Sequence, residues 1–361
     1  MLCITNPVSD PDRTGGYNNR PELRALKIRK TLEARNVPVV ENKHYVSEYF
    51  LTSTGLTSLR YLNFLDCAYD NAQKSGDGDW FVKGQLVPNH FFMSSERCRF
   101  DKIPIYKLSG YFCNDTMSPI LSTTYSSVMQ SAQNCYMAAE QLAKGAAPVI
   151  YCLNSSPGHH AAYDRYAGYC FLNNAGIAAR RLQEINQVLD FDVSEYSVNH
   201  HRVRVAIVDL DYHCGDGTQK LFYNDESVLT VSIHADPVFE YPSFIGFENE
   251  TGLNDSNLNI CLQSKTNWDS YKVALDKALD KVKTFNPDYL IIAFGADTYK
   301  NDPDPSPIGS FSLDLTDYNK MGEQIASLKL PTIVTQEGGY DLDAVPTIVD
   351  NFLQGITGSY S

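Results

Sequence analysis

The sequence predicts an α/β protein with a central, mostly parallel sheet that helices cover on both faces, giving three layers. From about residue 121 onward, short apolar segments alternate with longer amphipathic ones. The short segments show no polar alternation, which is typical of strands buried on both faces. Strands that alternate with helices indicate parallel strands joined by helical crossovers.

The apolar segments are rich in Val, Ile and Tyr and predict strands at 148–153, 203–210, 228–233, 258–262, 289–294 and 332–335. The amphipathic segments predict helices at 125–144, 174–189, 268–284, 317–328 and 344–354. Asp317 and Asp343 stand near the expected starts of the last two, where acidic side chains favour a helix N-terminus. Two further helices are predicted at 20–35 and 59–73.

The segment 80–111 is mixed and aromatic, and we predict a long surface excursion there. No Pro- or Ser-rich linker interrupts the chain, so residues 1–361 are predicted to form a single domain. At 361 residues with 43% apolar composition, the chain can bury a large core.

The net charge of −13, from 30 basic and 43 acidic residues, disfavours a nucleic-acid-binding surface, which needs clustered Lys and Arg. It favours a small cationic molecule or a basic peptide as partner, although the same charge also serves solubility.

Residues 1–16 lack the apolar run of a signal peptide, and the longest apolar stretch, 147–153, is too short to span a bilayer. The nine cysteines form no C-x-x-C pair, so reduced thiols in a cytoplasmic protein without membrane contact are expected.

Polar residues follow each predicted strand, at the positions where parallel α/β sheets bind their ligands. They include isolated Asp residues directly behind apolar runs, and buried charges there need a compensating partner such as a metal. Asp211 and His213 are two residues apart on an extended segment, so their side chains point the same way. Together with Asp297 they supply three ligands, the arrangement of a catalytic zinc site with one open position. A lone D-x-H is more often a structural hydrogen-bonded pair, but the other polar strand ends favour the metal.

Six ordered motifs at these strand ends resemble those of the histone deacetylase and acetylpolyamine amidohydrolase superfamily. They are P-G-H-H (157–160), G-Y-C-F-L-N-N (168–174), D-L-D-Y-H-C-G-D-G-T-Q (209–219), V-S-I-H (231–234), G-A-D-T (295–298) and E-G-G-Y (337–340). The resemblance runs from about residue 105 to the end of the chain and implies the arginase-like α/β fold. Segments 110–114, 168–174 and 236–242 look more like the acetylpolyamine branch.

The resemblance implies one zinc ion per chain, held by Asp211, His213 and Asp297. It also implies that His160 is the general base and acid, and that Tyr340 donates a hydrogen bond to the developing oxyanion.

Supporting roles follow in the same way. His159 would stabilise the transition state electrostatically, with Asp209 orienting His159 and Asp216 orienting His160. The carbonyl of Gly168 would receive the substrate amide N–H, and Tyr169 and Tyr241 would wall the substrate tunnel. A structural potassium ion is implied by the backbone oxygens of Asp211, His213 and Ile233 and the side chains of Asp209 and Ser232.

The sequence departs from the family pattern at several positions. Cys214 stands where many relatives have a second histidine, which places a thiol beside the site. Tyr106 and Met117 stand near positions where acetylpolyamine enzymes carry glutamates. Asp304 falls where a polyamine-selective deacetylase has an acidic residue at the tunnel mouth, so we expect it to attract a cationic substrate. An exposed loop aspartate is the alternative for Asp304.

We therefore predict a zinc-dependent amidohydrolase that removes acetyl or other short acyl groups from a primary amine on a linear aliphatic chain. An N-acetylpolyamine is the first choice of substrate, and N-acetyl-lysine in proteins is the second. An arginase-like ureohydrolase would need further Asp ligands in D-x-H-x-D and D-x-D spacing, which the segments at 211–215 and 297–299 lack. A catalytically dead binding protein would be expected to have lost Tyr340 or one of the two adjacent histidines. By the same resemblance, the 80–111 segment suggests a homodimer.

Overall fold

The computed structural model describes residues 1–6, 21–92, 99–190, 203–305 and 309–358. Eight strands form one sheet in which every neighbouring pair is parallel. In chain order they are β1 (Leu2–Thr5), β2 (Val39–Glu41), β5 (Val149–Leu153), β6 (Val205–Asp209), β7 (Val228–Ala235), β8 (Asn257–Leu262), β9 (Tyr289–Phe294) and β10 (Thr332–Gln336). Their order across the sheet is β2-β1-β5-β10-β9-β6-β7-β8.

Helices cover both faces of this sheet. They are α1 (Pro21–Ala34), α2 (Glu48–Ser53), α3 (Leu59–Ser75), α4 (Ser109–Phe112), α5 (Thr124–Ala143), α6 (Asn174–Asp190), α7 (Asp216–Phe222), α8 (Trp268–Phe285), α9 (Asp317–Ala326) and α10 (Val345–Gly358). Side chains of α3, α5 and α6 belong to one core cluster, and those of α1, α8, α9 and α10 belong to the other. The predicted three-layer α/β fold is confirmed.

The strands are apolar on both sides because successive side chains point into different cores. In β5, Ile150 and Cys152 lie in the first cluster, whereas Val149, Tyr151 and Leu153 lie in the second. All five are fully buried. This arrangement explains why the sequence shows continuous apolar runs instead of polar alternation.

All six predicted strands are present, with ends that shift by a few residues. The strands β1 and β2 at one side of the sheet were not predicted from the sequence, because both are short and the edge strand β2 is mostly exposed. The segment predicted as a surface excursion has more secondary structure than expected in its described parts, 80–92 and 99–111. It contains the hairpin β3 (Phe81–Val82) and β4 (Gln85–Leu86), a 3-10 turn at Ile105–Leu108 and the helix α4. Its Trp80 and Leu86 are buried in the first core cluster, so apolar packing anchors it to the sheet layers.

Strand order determines where the functional residues lie. The strands followed by the polar motifs, β5, β10, β9, β6 and β7, are consecutive in the middle of the sheet. Their carboxyl ends therefore share one edge, and side chains far apart in the chain meet there.

Among the described residues, no helix combines the length and apolarity required to cross a membrane. Eight cysteines fall within these residues, and all eight are free.

Close backbone contact between α9 and α10 yields a prediction about stability. A Cβ added at Gly322 would overlap the carbonyl oxygen of Phe352 and lie 2.6 Å from the amide nitrogen of Ile356. We expect Gly322→Ala to lower the free energy of unfolding by about 1–3 kcal/mol, because neither backbone can give way cheaply. Denaturant unfolding measures the change.

Gly358→Ala is the matched control, because a Cβ there meets no atom within 4 Å. Helix propensity alone would make both substitutions neutral or stabilising. Equal stability of the two variants would contradict the packing argument.

Candidate active site

A cavity of about 190 Å³ opens at the carboxyl edge of the sheet. The described residues that line it are Met117, Pro157, His159, His160, Gly168, Tyr169, Asp211, His213, Glu240, Tyr241, Asp304, Gly338 and Tyr340. The lining therefore brings together side chains from the ends of β5, β6, β7, β9 and β10.

Asp211, His213 and Asp297 form a compact group at the base of the cavity. One potential ligand atom from each lies within 4.8 Å of the others. The Nδ1 atom of His213 is 3.4 Å from Asp211 Oδ1 and 3.6 Å from Asp297 Oδ2. These separations are too long for good hydrogen bonds and leave room for a shared ion. The three residues fit the predicted zinc site.

The charges of this group also fit a metal. Asp297 Oδ2 is buried and has no hydrogen-bond partner among the described residues, which is costly for a carboxylate unless a cation binds it. Burial and the neighbouring Asp211 carboxylate raise the pKa of Asp297. Burial opposes protonation of His213, but the two carboxylates outweigh it and raise the pKa of its imidazole. A divalent cation would relieve this excess of negative charge.

A second group of potential ligands, His159, Cys170 and Glu337, lies nearby, but its atoms already have partners. Glu337 Oε2 accepts the backbone N–H groups of Gly158 (2.6 Å) and His159 (3.1 Å). The Cys170 thiol donates to the Gly168 carbonyl at 3.3 Å, and burial raises its pKa well above the ordinary value. These residues support the neighbouring backbone and are poorer candidates for metal ligands than Asp211, His213 and Asp297.

Cys214, the thiol that the sequence placed beside the metal, is fully buried. Burial raises its pKa well above the ordinary value, so the thiol stays protonated. Its sulfur lies close to Gly246, where an added Cβ would be 2.7 Å from the sulfur and 3.1 Å from His234 Nε2. Among the described residues, Cys214 is not part of the group that could hold a metal. His234 is likewise structural: its Nδ1 lies 2.8 Å from Ser232 Oγ and its Nε2–H donates to the Gly246 carbonyl.

The adjacent histidines have the carboxylate partners that the sequence assigned to them. His159 Nδ1–H donates to Asp209 Oδ2 at 3.0 Å, and His160 Nδ1–H donates to Asp216 Oδ1 at 2.6 Å. The two rings lie 3.9 Å apart, centroid to centroid. Each carboxylate orients its imidazole through Nδ1, and for His160 it fixes the tautomer in which Nε2 is free to accept a proton.

The histidines differ in protonation. Burial and the neighbouring His159 lower the pKa of His160, so its imidazole is neutral near pH 7. Burial also penalises protonation of His159, but Asp211 and Asp209 outweigh this and raise its pKa to about 10. A neutral base beside a fixed positive charge matches the division of roles expected for a base and an electrostatic stabiliser.

Gly168 allows the cavity wall to approach His160. Its φ is +52°, a left-handed conformation, and an added Cβ would overlap the His160 ring. Its N–H donates to Asp115 Oδ2 at 2.6 Å, and the same oxygen accepts the Tyr241 hydroxyl at 3.3 Å. Asp115 Oδ1 accepts the Met117 N–H at 2.9 Å, so one carboxylate orders several parts of the wall. The sequence analysis did not identify this role of Asp115.

The two tyrosines predicted to wall the tunnel both line the cavity. The Tyr241 ring packs edge-on against His160 with centroids 4.8 Å apart, and Tyr169 lies 6.2 Å from the Tyr340 ring. Asp304 also lines the cavity, with Oδ2 at 3.9 Å from His213 Nε2. Its side chain is only 26% exposed, so it is not the freely solvated loop residue considered as the alternative.

Tyr340 is held by groups from distant parts of the chain. Its N–H donates to Asp302 Oδ2 at 2.6 Å, and Arg24 Nη1–H donates to the Gly339 carbonyl at 3.2 Å. Burial and nearby carboxylates, Asp304 first among them, raise the pKa of its phenol well above the ordinary value, so the hydroxyl remains a donor. Neither Asp302 nor Arg24 was identified from the sequence, because each acts on backbone atoms and follows no ligand spacing.

Of the residues predicted for potassium, Asp209 of β6 is in register with Ser232 of β7, and Asp211 and His213 follow the end of β6. Asp209 is nearly fully buried, and its Oδ1 accepts the Asp211 N–H at 3.0 Å. Ile233 follows directly on β7.

Comparisons with known proteins agree with this geometry. A histone deacetylase domain matches residues 24–356. The chain is 39% identical to acetylpolyamine amidohydrolase 1 of Pseudomonas aeruginosa over 305 residues, covering 83% of this chain and 80% of that one. It is 32% identical to acetylpolyamine amidohydrolase of Mycoplana ramosa over 303 residues, covering 82% and 81%.

The chain belongs to the histone deacetylase family. An acetylpolyamine aminohydrolase structure from Burkholderia pseudomallei superposes with a TM-score of 0.83 at 27% identity, covering 99% of both chains. The protein is accordingly a deacetylase, a hydrolase of linear amides, and the family is zinc-dependent. Because the chain belongs to this family, the arginase-like ureohydrolase that the sequence left as an alternative is not retained.

The division between metal ligands and acid–base residues yields a prediction. Asp297→Asn removes a charged ligand, so we expect the zinc content of the purified protein to fall at least tenfold, with loss of activity. His160→Ala should keep zinc at the wild-type level while kcat falls by about 10²- to 10⁴-fold, because only proton transfer is removed. Metal analysis by mass spectrometry and steady-state rates measure both. Loss of zinc from His160→Ala would mean that this histidine is a ligand.

Proposed function

We propose that this deacetylase removes the acetyl group from N-acetylated diamines or polyamines. The observation that supports this most directly is the charge of the cavity wall. Asp304 and Glu240 both line the cavity, whereas its lining within the described residues includes no lysine or arginine. A carboxylate in a partly dry cavity attracts a cationic chain more strongly than one in water. Several curated relatives are named acetylpolyamine amidohydrolases, which agrees with this substrate class.

In this proposal, Asp211, His213 and Asp297 hold the zinc ion. When bound, zinc lowers the pKa of a water molecule and acts as a Lewis acid toward the amide oxygen. The geometry supports zinc at this position through the unpartnered Asp297 Oδ2 and the spacing of the three ligand atoms.

The protein's own residues carry the proton transfers. Neutral His160, oriented by Asp216, takes a proton from the attacking water and returns one to the leaving amine. His159, oriented by Asp209, stabilises the negative charge that develops on the substrate.

Other groups hold the substrate in place. The Tyr340 hydroxyl donates to the amide oxygen as it gains charge, and the Gly168 carbonyl accepts the amide N–H. Tyr169 and Tyr241 flank the aliphatic chain, and Asp304 attracts its distal ammonium group.

Deacetylation of N-acetyl-lysine in proteins is the second candidate. Met117 supports it, because an apolar side chain that is 44% exposed stands at the cavity where an acidic group would favour a polyamine. The family itself includes a plant relative named histone deacetylase 8, from Arabidopsis thaliana, that is 25% identical over 294 residues.

Further parts of the proposal concern the whole protein. We propose that residues 1–361 act as one domain and that the chain forms a homodimer through the 80–111 segment. Phe91 and Phe92 of that segment are partly exposed, which supports such a contact. A structural potassium ion, bound by the backbone oxygens of Asp211, His213 and Ile233 and the side chains of Asp209 and Ser232, would offset the buried Asp209 charge. The eight free thiols support a cytoplasmic location.

Substrate preference is tested by steady-state rates on acetylputrescine, acetylspermidine and an acetyl-lysine peptide. We expect kcat/KM to be higher for the acetylated amines. A preference for the peptide of about tenfold or more, some 1.4 kcal/mol in the transition state, would overturn the polyamine assignment in favour of the second candidate.

The contribution of Asp304 is tested by Asp304→Asn. Because a carboxylate in this setting contributes roughly 1–3 kcal/mol toward a cation, we expect kcat/KM for acetylputrescine to fall by about tenfold. The neutral substrate N-acetylbutylamine is the control and should change by less than about twofold. Zinc content is measured in parallel, since Asp304 lies 3.9 Å from His213. Equal losses on both substrates at full zinc content would contradict charge recognition.

A further inference from the structure

The backbone around Tyr340 needs an external anchor. Two glycines precede this residue, and Gly339 has a φ of +114°, so the chain has unusual freedom there. A hydroxyl that must reach the amide oxygen is effective only if its position is fixed to a fraction of an ångström. Another group must therefore hold the main chain of Tyr340 in place.

Asp302 is that group on the amide side. Its Oδ2 accepts the N–H of Tyr340 at 2.6 Å and the N–H of Asp341 at 3.1 Å. The side chain is largely buried, and it belongs to the loop that follows β9, a different part of the chain from the Tyr340 segment. A short pair of hydrogen bonds to a charged acceptor in a buried place resists displacement.

The other oxygen of the same carboxylate reaches the cavity wall. Asp302 Oδ1 accepts the N–H of Asp304 at 3.1 Å. Asp304 in turn lies beside His213 and lines the cavity. One carboxylate therefore connects the residue expected to bind the distal ammonium with the residue expected to bind the oxyanion.

We propose that Asp302 is a positioning residue that sets the main chain of Tyr340 and couples it to Asp304. The inference rests on the proposed deacetylation and deepens it. Asp302 does not line the cavity within the described residues, so it acts on the reaction only through these two neighbours. A substrate that engages Asp304 is then expected to gain in kcat as well as in binding, because the same carboxylate orders Tyr340.

The test begins with wild-type activity on acetylputrescine and N-acetylbutylamine. Inactivity toward every acetylated amine would be a failure of the proposed function and would be recognised before any variant is made. With activity established, Asp302→Asn is expected to lower kcat for acetylputrescine by about 10- to 100-fold, at unchanged zinc content, because an amide has one acceptor oxygen and cannot accept the N–H groups of Tyr340 and Asp304 on two different atoms. The loss should be smaller for N-acetylbutylamine, which has no ammonium group to engage Asp304.

Asp343→Asn is the matched control. Asp343 lies three residues beyond Tyr340, but its side chain is 95% exposed and pairs with Lys27 at the surface. Its kcat should stay within about twofold of wild type. An equal loss in both variants would show a general effect on the loop and would overturn the specific role of Asp302.

A double-mutant cycle separates positioning from general stability. If Asp302 acts through the Tyr340 hydroxyl, Asp302→Asn should change the residual rate of Tyr340→Phe by less than about twofold. Full additivity of the two losses would overturn the proposal. A crystal structure of Asp302→Asn gives a second readout, in which the Tyr340 hydroxyl should be displaced or disordered, and an unmoved hydroxyl would contradict the proposal. If Asp302→Asn fails to fold, Asp302→Glu keeps the charge and enters the same cycle and the same structural comparison.

Discussion

Two buried carboxylates, Asp211 and Asp297, share the imidazole of His213 at the centre of the sheet's carboxyl edge, and the site is organised around this concentration of negative charge. Neither carboxylate is exposed, and Asp297 Oδ2 has no hydrogen-bond partner among the described residues. Such an arrangement is unfavourable without a cation and becomes favourable with one. Asp211, together with Asp209, raises the pKa of His159, whereas burial lowers the pKa of His160. Negative charge and burial thus act together on the proposed metal site and on the two histidines beside it.

The loops around this centre are held by carboxylates that accept backbone N–H groups. Glu337 holds the segment that carries His159, Asp115 holds the wall at Gly168, and Asp302 holds Tyr340. Charged acceptors for main-chain donors are strong hydrogen bonds when water is excluded. The loops around the cavity are therefore held in place by acidic side chains that are not among the proposed metal ligands or proton-transfer groups.

The separate roles of these carboxylates change the interpretation of the net charge of −13. Part of the acidic excess, including Asp209, Asp211, Asp216 and Asp297, belongs to the metal site and its supporting contacts and says nothing about partners. Asp304 and Glu240 remain as the carboxylates that a substrate entering the cavity would meet. The argument for a cationic substrate thus depends on a few residues in the cavity wall, and not on the charge of the surface as a whole.

The sequence by itself indicated the α/β architecture and the Asp and His side chains at the strand ends, whereas the pairing of His159 and His160 with carboxylates came from the family resemblance that its motifs carry. Apolar runs and ordered polar motifs are local properties, so they are visible in one dimension. The tertiary structure alone decided that β5, β10, β9, β6 and β7 are neighbours, since strand order depends on crossovers between distant segments. It also decided the roles of Asp302 and Glu337, whose partners are backbone N–H groups that carry no sequence pattern. Likewise, only packing could bring Asp304, on a loop after β9, against the imidazole of His213.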